Sequence, residues 1–500
     1  MLARVHSFVL NGIDAIACEV EVDTGAIGLA RTLVVGLPQT AVKESVERIH
    51  SAIVNSGYGY PENSIIFNLA PADIKKEASS LDMAMAIGVL RGTNFIQGDR
   101  HKHFLIAGEL ALDGRVRKIK GALSMALLAK HKGMVGVILP TENAREAAVV
   151  EGIEVYPVAT LTQAVSFLNE QIPLEPYELD GQPYTASALT EALDFVDVRG
   201  QEAVKRAIAV ASAGNHNLLL IGPPGTGKTM LASRIPGILP PLSRQESLET
   251  TRIYSALGLL PENIALMDER PVRSPHHSTT AQALVGGGTI PRPGEVSLAH
   301  HGILFLDELP EFSRYVLDML RQPLESGDVT ISRVYGSVKF PARFMLVAAM
   351  NPSPSQRKGD DTRAKERYMS RISGPLLDRI DIHVEVPAVP YRELTSKRAG
   401  TSSAQMREQV LRARDIQRNR FHSDTTNSRM DSKQLKAFCD LNDGCLLMMK
   451  QAMDELGLSA RAYDKVRRVA RTIADIDGSE LICEHHLSEA IQYRLLDRSF

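Results

Sequence analysis

A glycine-rich run at residues 222–229 is the part of this sequence whose residue types and spacing most clearly indicate chemistry. It fits the pattern G-x-x-x-x-G-K-[ST], and its members are Gly222, Pro223, Pro224, Gly225, Thr226, Gly227, Lys228 and Thr229. Glycines let such a loop curl so that successive backbone N–H groups face the phosphates of a nucleoside triphosphate. We expect Lys228 to reach the β and γ phosphates and the hydroxyl of Thr229 to hold Mg²⁺. The alternative is a strand-to-helix turn that binds no ligand, which the complete motif disfavours.

Two apolar runs farther along the chain end in polar side chains that hydrolysis would use. The run 302–306 precedes Asp307 and Glu308, and the run 344–350 precedes Asn351. We expect both runs to be buried parallel strands, which deliver these groups at their carboxyl ends. Asp307 would bind the hydration shell of Mg²⁺, Glu308 would polarise the attacking water, and Asn351 would orient that water or contact the γ-phosphate. An isolated Asp-Glu pair could instead be a solvated helix start, but its place after an apolar run favours catalysis.

The elements that must position these groups fall into segments with different patterns. Residues 1–167 alternate short β-like runs with helical stretches, which predicts an α+β domain. Residues 168–193 are rich in Pro, Gly, Tyr and acidic residues, and we expect a linker there. Residues 194–390 carry the nucleotide motifs on strands that alternate with helices, which predicts a parallel α/β core. The helical apolar spacing of residues 391–500 predicts a helical C-terminal lid.

The composition indicates an ordinary globular protein. The 500 residues are 44% hydrophobic, and the formal net charge of -2 offers no global attraction to nucleic acid or to a membrane. No run reaches the roughly 18 apolar residues of a membrane span, and the N-terminal sequence lacks the features of a secretion signal, so we expect a cytoplasmic protein without membrane contact. The cysteines do not form a Cys-x-x-Cys metal motif and suit reduced buried thiols: Cys18, Cys439, Cys445 and Cys483.

The order of these motifs resembles the AAA+ ATPases of the helix-2-insert group, which includes magnesium chelatase ATPase subunits and MCM helicases. Four stretches narrow the resemblance to the YifB/ComM family of magnesium-chelatase-like bacterial proteins: 273–277 (RSPHH), 286–288 (GGG), 293–300 (PGEVSLAH) and 371–381 (RISGPLLDRID). With 68–73 (NLAPAD), the resemblance covers nearly the full chain. It implies a multidomain α/β protein with a Lon-protease-like α+β N-terminal domain, an AAA+ P-loop α/β core and a helical C-terminal lid.

The resemblance also implies a hexameric ring in which a neighbouring subunit completes each ATP site. Arg379 matches the position of the trans-acting finger, whose guanidinium stabilises charge on the leaving γ-phosphate. Arg461 matches the second sensor position, at the start of a lid helix. A surface ion pair is the alternative for either arginine, and for Arg461 the two interpretations balance evenly. The turn 198–201 matches the place where such proteins contact the nucleotide base, with a plain helix N-terminus as the alternative.

The first domain departs from the Lon pattern that it resembles. Residues 108–116 look like part of the Lon protease domain, which works with a Ser–Lys dyad. Ser79 or Ser80 falls near the position of the nucleophile, but Leu123 stands where the lysine should be. Without the lysine the serine hydroxyl has no base to take its proton, so we expect no peptidase activity.

A second departure concerns metal binding. Relatives in the family often carry cysteines, at a spacing that suggests zinc, between the asparagine sensor and the RISGP motif. Residues 351–368 contain neither cysteine nor histidine, so we expect no zinc there. Adjacent histidines do not converge on a metal from a helix or strand, and we expect none at the three pairs His276-His277, His300-His301 and His485-His486.

Local charge and the resemblance together predict DNA as the partner. Residues 356–371 carry more basic than acidic side chains, and further basic residues follow Arg461. A ring of such surfaces would bind phosphate backbones without sequence preference. The segment 329–340 has the pattern of a β-hairpin, and in the helicase relatives a hairpin at this place points into the pore. Candidates for contacting DNA are therefore Arg333, Tyr335 and Lys339.

Two functions compete at this point. The resemblance implies an ATP- and Mg²⁺-dependent hexameric motor that drives branch migration of recombination intermediates during natural transformation. The alternative is a chelatase-like ATPase that remodels a protein partner. The Lon-like first domain and the lack of an integrin-type metal-binding domain on this chain favour the DNA motor.

Overall fold

The structure, a computed structural model, divides the chain into two compact units. It describes residues 1–26, 32–35, 40–71, 79–179, 193–261, 263–288, 290–333, 336–352, 368, 371–394 and 400–494. The first unit comprises Met1–Ala186, Arg244–Met267 and Thr330–Phe340, and the second comprises Ser187–Ser243, Asp268–Val329 and Pro341–Phe500. Among the described residues, no helix is both long and apolar enough to cross a bilayer.

The strands are numbered in chain order. They are β1 Leu2–Asn11, β2 Asp14–Ala26, β3 Thr32–Val35, β4 Ser64–Ala70, β5 Phe104–Ile106, β6 Glu109–Leu110, β7 Val116–Arg117, β8 Gly136–Pro140, β9 Glu154–Val158, β10 Leu218–Ile221, β11 Val272–Arg273, β12 Gly286–Gly287, β13 Arg292–Pro293, β14 Ile303–Leu306, β15 Asp328–Arg333, β16 Gly336–Pro341, β17 Met345–Met350 and β18 Ile382–Glu385.

The helices are numbered in the same way. They are α1 Thr40–Asn55, α2 Asp82–Gly92, α3 Ala122–His131, α4 Ala144–Ala147, α5 Leu161–Leu168, α6 Glu202–Gly214, α7 Lys228–Ala232, α8 Arg244–Leu257, α9 Ala281–Val285, α10 Glu295–Leu298, α11 Arg314–Met319, α12 Arg321–Ser326, α13 Gly374–Leu377, α14 Tyr391–Leu394, α15 Ser403–Phe421, α16 Ser432–Phe438, α17 Asp443–Leu456, α18 Ala460–Ile476 and α19 Glu484–Gln492.

The first unit contains two main sheets. A four-stranded sheet has the order β1-β2-β4-β3, and a parallel three-stranded sheet has the order β5-β8-β9. Helix α2 packs on β1 and β2. Its residues from Met83 to Leu90 are almost all apolar and are buried. The alternation of buried and half-buried residues along β4 is the period-2 pattern of a strand with one face in the core.

Two segments from the middle of the chain belong to this first unit. Helix α8 packs on α3, where Gly121 N–H donates to the Ser255 carbonyl at 3.0 Å, and Arg252 pairs with Asp14. The hairpin residues Thr330–Phe340 also belong here, and Val338 and Phe340 pack against Gly12. Both segments lie inside the 194–390 range assigned to the ATPase core from the sequence. The predicted domain boundaries stay a prediction.

The second unit is built on a five-stranded sheet with the order β11-β14-β17-β10-β18, in which every neighbouring pair is parallel. All residues of β10, β14 and β17 are buried, as expected for central parallel strands covered on both faces. Helix α6 packs on α15 and α18 in one continuous core with the sheet. The predicted α/β architecture with helices at the C-terminal end is confirmed at this level.

Candidate nucleotide site

The loop 222–229 follows β10 directly and adopts a shape that its glycines permit. Gly225 and Gly227 have φ values of 81° and 84°, a region that residues with a side chain rarely adopt. At Gly222 an added Cβ would collide with the carbonyl oxygen of Val386. The sequence pattern therefore specifies a close, tightly curled backbone between β10 and α7.

The ammonium group of Lys228 donates to three oxygen acceptors. Its Nζ donates to the carbonyls of Gly222 at 2.8 Å and Pro223 at 2.9 Å, and to Oδ1 of Asn351 at 3.0 Å. Burial lowers the pKa of Lys228, while the carboxylates of Asp307 and Glu308 oppose that shift. Two side chains expected to meet a γ-phosphate, Lys228 and Asn351, are thus already in contact.

Thr229 and Asp307 form the second contact of the site. The hydroxyl of Thr229 donates to Oδ2 of Asp307 at 2.7 Å, and Oδ1 of Asp307 accepts from the backbone N–H of Glu308 at 2.9 Å. A hydroxyl and a carboxylate side by side, next to a phosphate-binding loop, are the oxygen ligands that Mg²⁺ takes in such sites. The residues present therefore fit Mg²⁺ bound together with the phosphates of ATP.

Glu308 has an unusual backbone and a partner that the sequence analysis did not identify. Its φ of 51° lies in the left-handed region, which costs a residue with a side chain roughly 1–3 kcal/mol and is found mostly at functional sites. Its carboxylate is exposed, and Oε2 lies 3.7 Å from Nδ1 of His277. His277 belongs to the RSPHH stretch and to one of the histidine pairs, for which the sequence analysis gave no role beside Glu308. A histidine close to the expected water-activating group is a functional candidate.

Gln201 contacts the phosphate loop, a role that the sequence analysis did not assign to it. Its Nε2 donates to the carbonyls of Thr226 and Pro387, both at 3.0 Å, and the side chain is almost fully buried. This contact braces the phosphate loop from the turn 198–201. The turn itself was singled out from its position, but no local pattern indicated that Gln201 would reach Thr226.

Arg379 lies at the other end of β10 from the phosphate loop. Nδ2 of Asn217, the residue before β10, donates to the Arg379 carbonyl at 2.9 Å, whereas Gly222 follows the last residue of the strand. At about 3.3 Å per residue, Asn217 and Gly222 are about 16 Å apart. The Arg379 guanidinium donates to the Pro375 carbonyl at 2.7 Å and pairs with Glu325.

Arg461 lies with Arg379 rather than with Lys228. Both line a cavity of about 450 Å³ that also contains Glu325 and Asn217 and includes no residue of the phosphate loop. The two arginines assigned separately from the sequence therefore share one polar cavity at the amino end of β10. The sequence analysis did not predict that they would meet.

The remaining predicted residues are more dispersed. Lys339 is exposed on β16, Arg333 ends β15, and Tyr335 lies outside the described residues, as do the basic and zinc-related positions 353–367. Leu123 is fully buried in α3, and Ser79 and Ser80 are half-buried in a short 3-10 turn before α2.

The pair His485-His486 also lies near a carboxylate. Ligand atoms of Asp477, His485 and His486 lie within 4.8 Å of one another. The expectation that adjacent histidines bind no metal stays a prediction. Cys483 N–H donates to Nδ1 of His486 at 3.0 Å, so the neutral ring carries its proton on Nε2, 3.5 Å from Asp477. Asp477 also accepts from Arg206 at 3.1 Å. The carboxylate of Asp477 is therefore already paired with an arginine.

Three family profiles match most of the chain. They are described as magnesium chelatase subunit ChlI over residues 194–394, subunit ChlI of Mg-chelatase over 19–143, and the ChlI C-terminal region over 400–494. The competence protein ComM of Haemophilus influenzae is 44% identical over 508 residues, which cover 99% of this chain and 98% of that protein. The chain belongs to the YifB/ComM family of magnesium-chelatase-like proteins.

Other relatives agree with this family assignment. YifB of Escherichia coli is also 44% identical, over 509 residues that cover 99% of this chain and 98% of that protein. The magnesium-chelatase 38 kDa subunit of Rhodobacter capsulatus is 26% identical over 225 residues, which cover 41% of this chain and 59% of that protein. Membership of the YifB/ComM family implies an AAA+ ATPase, in agreement with the contacts of Lys228, Thr229 and Asp307.

Proposed function

We propose that this protein is an ATP-hydrolysing hexameric motor that promotes branch migration of DNA recombination intermediates during natural transformation. The observation that carries the motor assignment is the position of two sets of groups at opposite ends of β10. Lys228, Asn351, Thr229 and Asp307 converge at its carboxyl end, and Arg379 with Arg461 lies at its amino end. Each subunit then contributes one half of one ATP site and one half of another.

The chemistry follows from the groups at the carboxyl end. Lys228 and Asn351 bind the γ-phosphate, and Glu308 accepts a proton from the water that attacks it. Thr229 and Asp307 would hold Mg²⁺, which would supply charge neutralisation at the phosphates. The backbone strain at Glu308 is consistent with a carboxylate that is held out toward substrate rather than folded into the strand end.

Arg379 is proposed to act on the nucleotide of a neighbouring subunit. A guanidinium stabilises the transferring phosphoryl group only by direct contact, and about 16 Å of strand separates Asn217 from the phosphate loop of the same chain. In the ring, the pairing of Arg379 with Glu325 would give way to the phosphate of the neighbour. Arg461 shares the cavity and is proposed to act there as well.

Mixed rings test this arrangement directly. Arg379→Ala and Lys228→Ala subunits are each expected to be inactive alone. Mixing them should restore part of the ATPase activity, because some interfaces then combine an intact Lys228 with an intact Arg379. Native mass spectrometry should establish that the rings are mixed. No recovery in such rings would show that Arg379 does not act in trans.

DNA as the partner is supported by the name of the Haemophilus influenzae relative, a competence protein, and by the pairing of β15 with β16. Because phosphate contacts dominate sequence-independent binding, affinity for DNA should fall steeply as salt rises. The test is binding and ATP-dependent resolution of a labelled four-way junction at low salt. Replacing Arg333 and Lys339 by Ala should weaken DNA stimulation of the ATPase, whereas replacing the exposed Arg115 and Lys132 should not.

A second candidate is a chelatase-like ATPase that remodels a protein partner. The similarity between this chain and the Rhodobacter capsulatus chelatase subunit favours this function. DNA-stimulated ATPase activity separates the two candidates. If the protein does not bind or resolve the four-way junction at low salt and a protein partner raises its ATPase rate, the remodelling function replaces the DNA motor.

A further inference from the structure

A buried ion pair joins the two segments that carry the proposed trans-acting arginines. Asp381 follows Arg379 by two residues, and Lys465 lies one helical turn after Arg461 on α18. Nζ of Lys465 is 2.9 Å from Oδ1 of Asp381, and the two side chains are only 13% and 14% exposed. The pair therefore connects the loop before β18 with α18, the helix whose first turn contains Arg461.

The second oxygen of Asp381 is anchored to the central sheet. Oδ2 accepts from the backbone N–H of Asn217 at 3.0 Å and lies 3.7 Å from Nδ1 of His216. The Asn217 carbonyl in turn accepts from the N–H groups of Asp381 and Ile382 at 3.1 and 3.0 Å. Since Asn217 also donates to the Arg379 carbonyl, the backbone from Arg379 to Ile382 is fixed to the start of β10.

Helix α18 is held to the same place at a second point. Nε2 of His216 and Oγ1 of Thr472 are 2.8 Å apart, and both residues are buried. Thr472 lies about two turns beyond Lys465 on the helix. Two polar contacts spaced along one helix fix both its position and its rotation, and so fix where its first residues point. The first turn of α18 contains Arg461.

The ionisation of Asp381 depends on the groups that surround it. Burial would raise the pKa of Asp381, but Lys465 and His216 hold it well below its ordinary value. Removing one partner of such a pair leaves a buried charge unpaired, whereas replacing both partners by neutral groups removes that penalty. This difference makes it possible to separate stability from positioning by mutation.

We propose that Asp381 and Lys465 are positioning residues that hold Arg379 and Arg461 in a fixed relation, so that one subunit presents both guanidinium groups together to its neighbour's nucleotide. This inference rests on the proposed function, because it requires that the arginines act in trans. Neither Asp381 nor Lys465 touches the nucleotide in this scheme. Their effect is on turnover, through the two arginines, and leaves the phosphate loop of their own chain intact.

The first test uses the full-length protein and steady-state ATPase kinetics. Lys465→Met should lower kcat at least about tenfold and change KM for ATP less than about threefold, because transition-state contacts are lost and the phosphate loop is not. Lys450→Met, which removes an exposed lysine of α17, is the matched control and should leave both constants unchanged. A Lys465→Met protein with normal kcat would overturn the proposal.

The double variant Asp381→Asn/Lys465→Met covers the case in which the single variant folds poorly. It should unfold close to the wild-type temperature because no buried charge remains unpaired, yet its kcat should stay at least about fivefold low. Recovery of kcat together with the unfolding temperature would mean that the pair only stabilises the fold, and the proposal would be wrong.

Mixed rings give a readout that a merely structural role would not produce. Lys465→Met subunits should regain activity with Lys228→Ala subunits, which supply well-placed arginines, and should gain nothing from Arg379→Ala subunits. If Arg379→Ala is rescued by Lys228→Ala but Lys465→Met is not, the positioning proposal fails alone. If Arg379→Ala is not rescued either, the trans arrangement and the positioning proposal fail together.

Discussion

Two helices in this protein begin after a glycine in the left-handed region, and they differ in what surrounds their first residues. Gly227, with φ of 84°, precedes α7, and Gly121, with φ of 76°, precedes α3. Lys228 of α7 is surrounded by carbonyl and amide oxygens. Leu123 of α3 is fully buried in a cluster of apolar side chains. The same backbone conformation therefore precedes a ligand-binding helix in one place and a core helix in the other. The difference lies in the side chains of the first turn, Lys228 in α7 and Leu123 in α3.

The largest expected effect is at the polar helix start. Lys228→Ala should abolish detectable ATP binding, because the main cation for the β and γ phosphates is lost. Glu308→Gln should still bind ATP but hydrolyse it at least about a hundredfold more slowly, because only the water-activating group is removed. Equilibrium binding of a fluorescent ATP analogue and phosphate release measure the two effects. Normal turnover by Glu308→Gln would contradict the role of that carboxylate.

The matched change at the apolar helix start should affect stability instead. Leu123→Ala removes a fully buried side chain, which typically costs about 2–5 kcal/mol of unfolding free energy through lost burial and the cavity left behind. Denaturant unfolding measures that cost, and ATP binding per folded molecule should match the wild type. If Leu123→Ala instead lost ATP binding while remaining stable, the distinction between the two helix starts would be wrong.

A buried carboxylate in the first unit should make its stability depend on pH. Burial raises the pKa of Asp82 to about 6, although Ser45, Arg48 and the Leu110 N–H oppose the shift. The folded chain thus binds the proton more tightly than the unfolded chain, so this contribution is complete below pH 4 and is lost as the pH rises through 6. From pH 4 to 8, Asp82→Asn should gain up to about 3 kcal/mol relative to wild type.

Unfolding midpoints of both proteins across that pH range test the sign. Asp113 offers a control, because its contacts with the N–H and side chain of Arg115 hold its pKa below the ordinary value. Asp113→Asn should therefore lose stability relative to wild type as the pH rises. The same trend in both variants would mean that burial of Asp82 does not govern its titration.

The smallest effect is expected at the serines of the Lon-like region. Ser79→Ala and Ser80→Ala should leave the ATPase rate unchanged, and the wild type should show no ATP-dependent casein cleavage, because Leu123 supplies no base for a serine. Cleavage that either substitution abolished would mean that another group takes the place of the missing lysine.

The sequence predicted the parts of the site that are encoded locally. A phosphate loop, and carboxylates at the end of an apolar strand, carry their geometry within a few residues, and the contacts Lys228–Asn351 and Thr229–Asp307 agree with it. The roles of these residues in catalysis stay predictions. The parallel sheet and the C-terminal helices were also predictable, because buried strands and amphipathic helices have distinct periods.

What the sequence could not predict depends on contacts between distant segments. Nothing near Gln201 indicated that it would brace Thr226, and nothing near Lys465 indicated Asp381 as its partner. The sequence also does not indicate that Arg244–Met267 and Thr330–Phe340 belong to the first unit, since the pattern of strands alternating with helices is the same in either unit. Such pairings are set by three-dimensional packing, which a single sequence does not display.

The placement of the phosphate loop and the arginines at opposite ends of β10 has a genetic consequence. One subunit contributes a phosphate loop to one interface of the proposed ring and its arginines to the next. A subunit that lacks only Lys228 inactivates the ATP site at one interface, whereas a subunit that lacks both Lys228 and Arg379 inactivates the sites at two interfaces. In a cell that makes normal and mutant copies together, the double mutant should therefore be the more strongly dominant, although neither copy could hydrolyse ATP at its own phosphate loop.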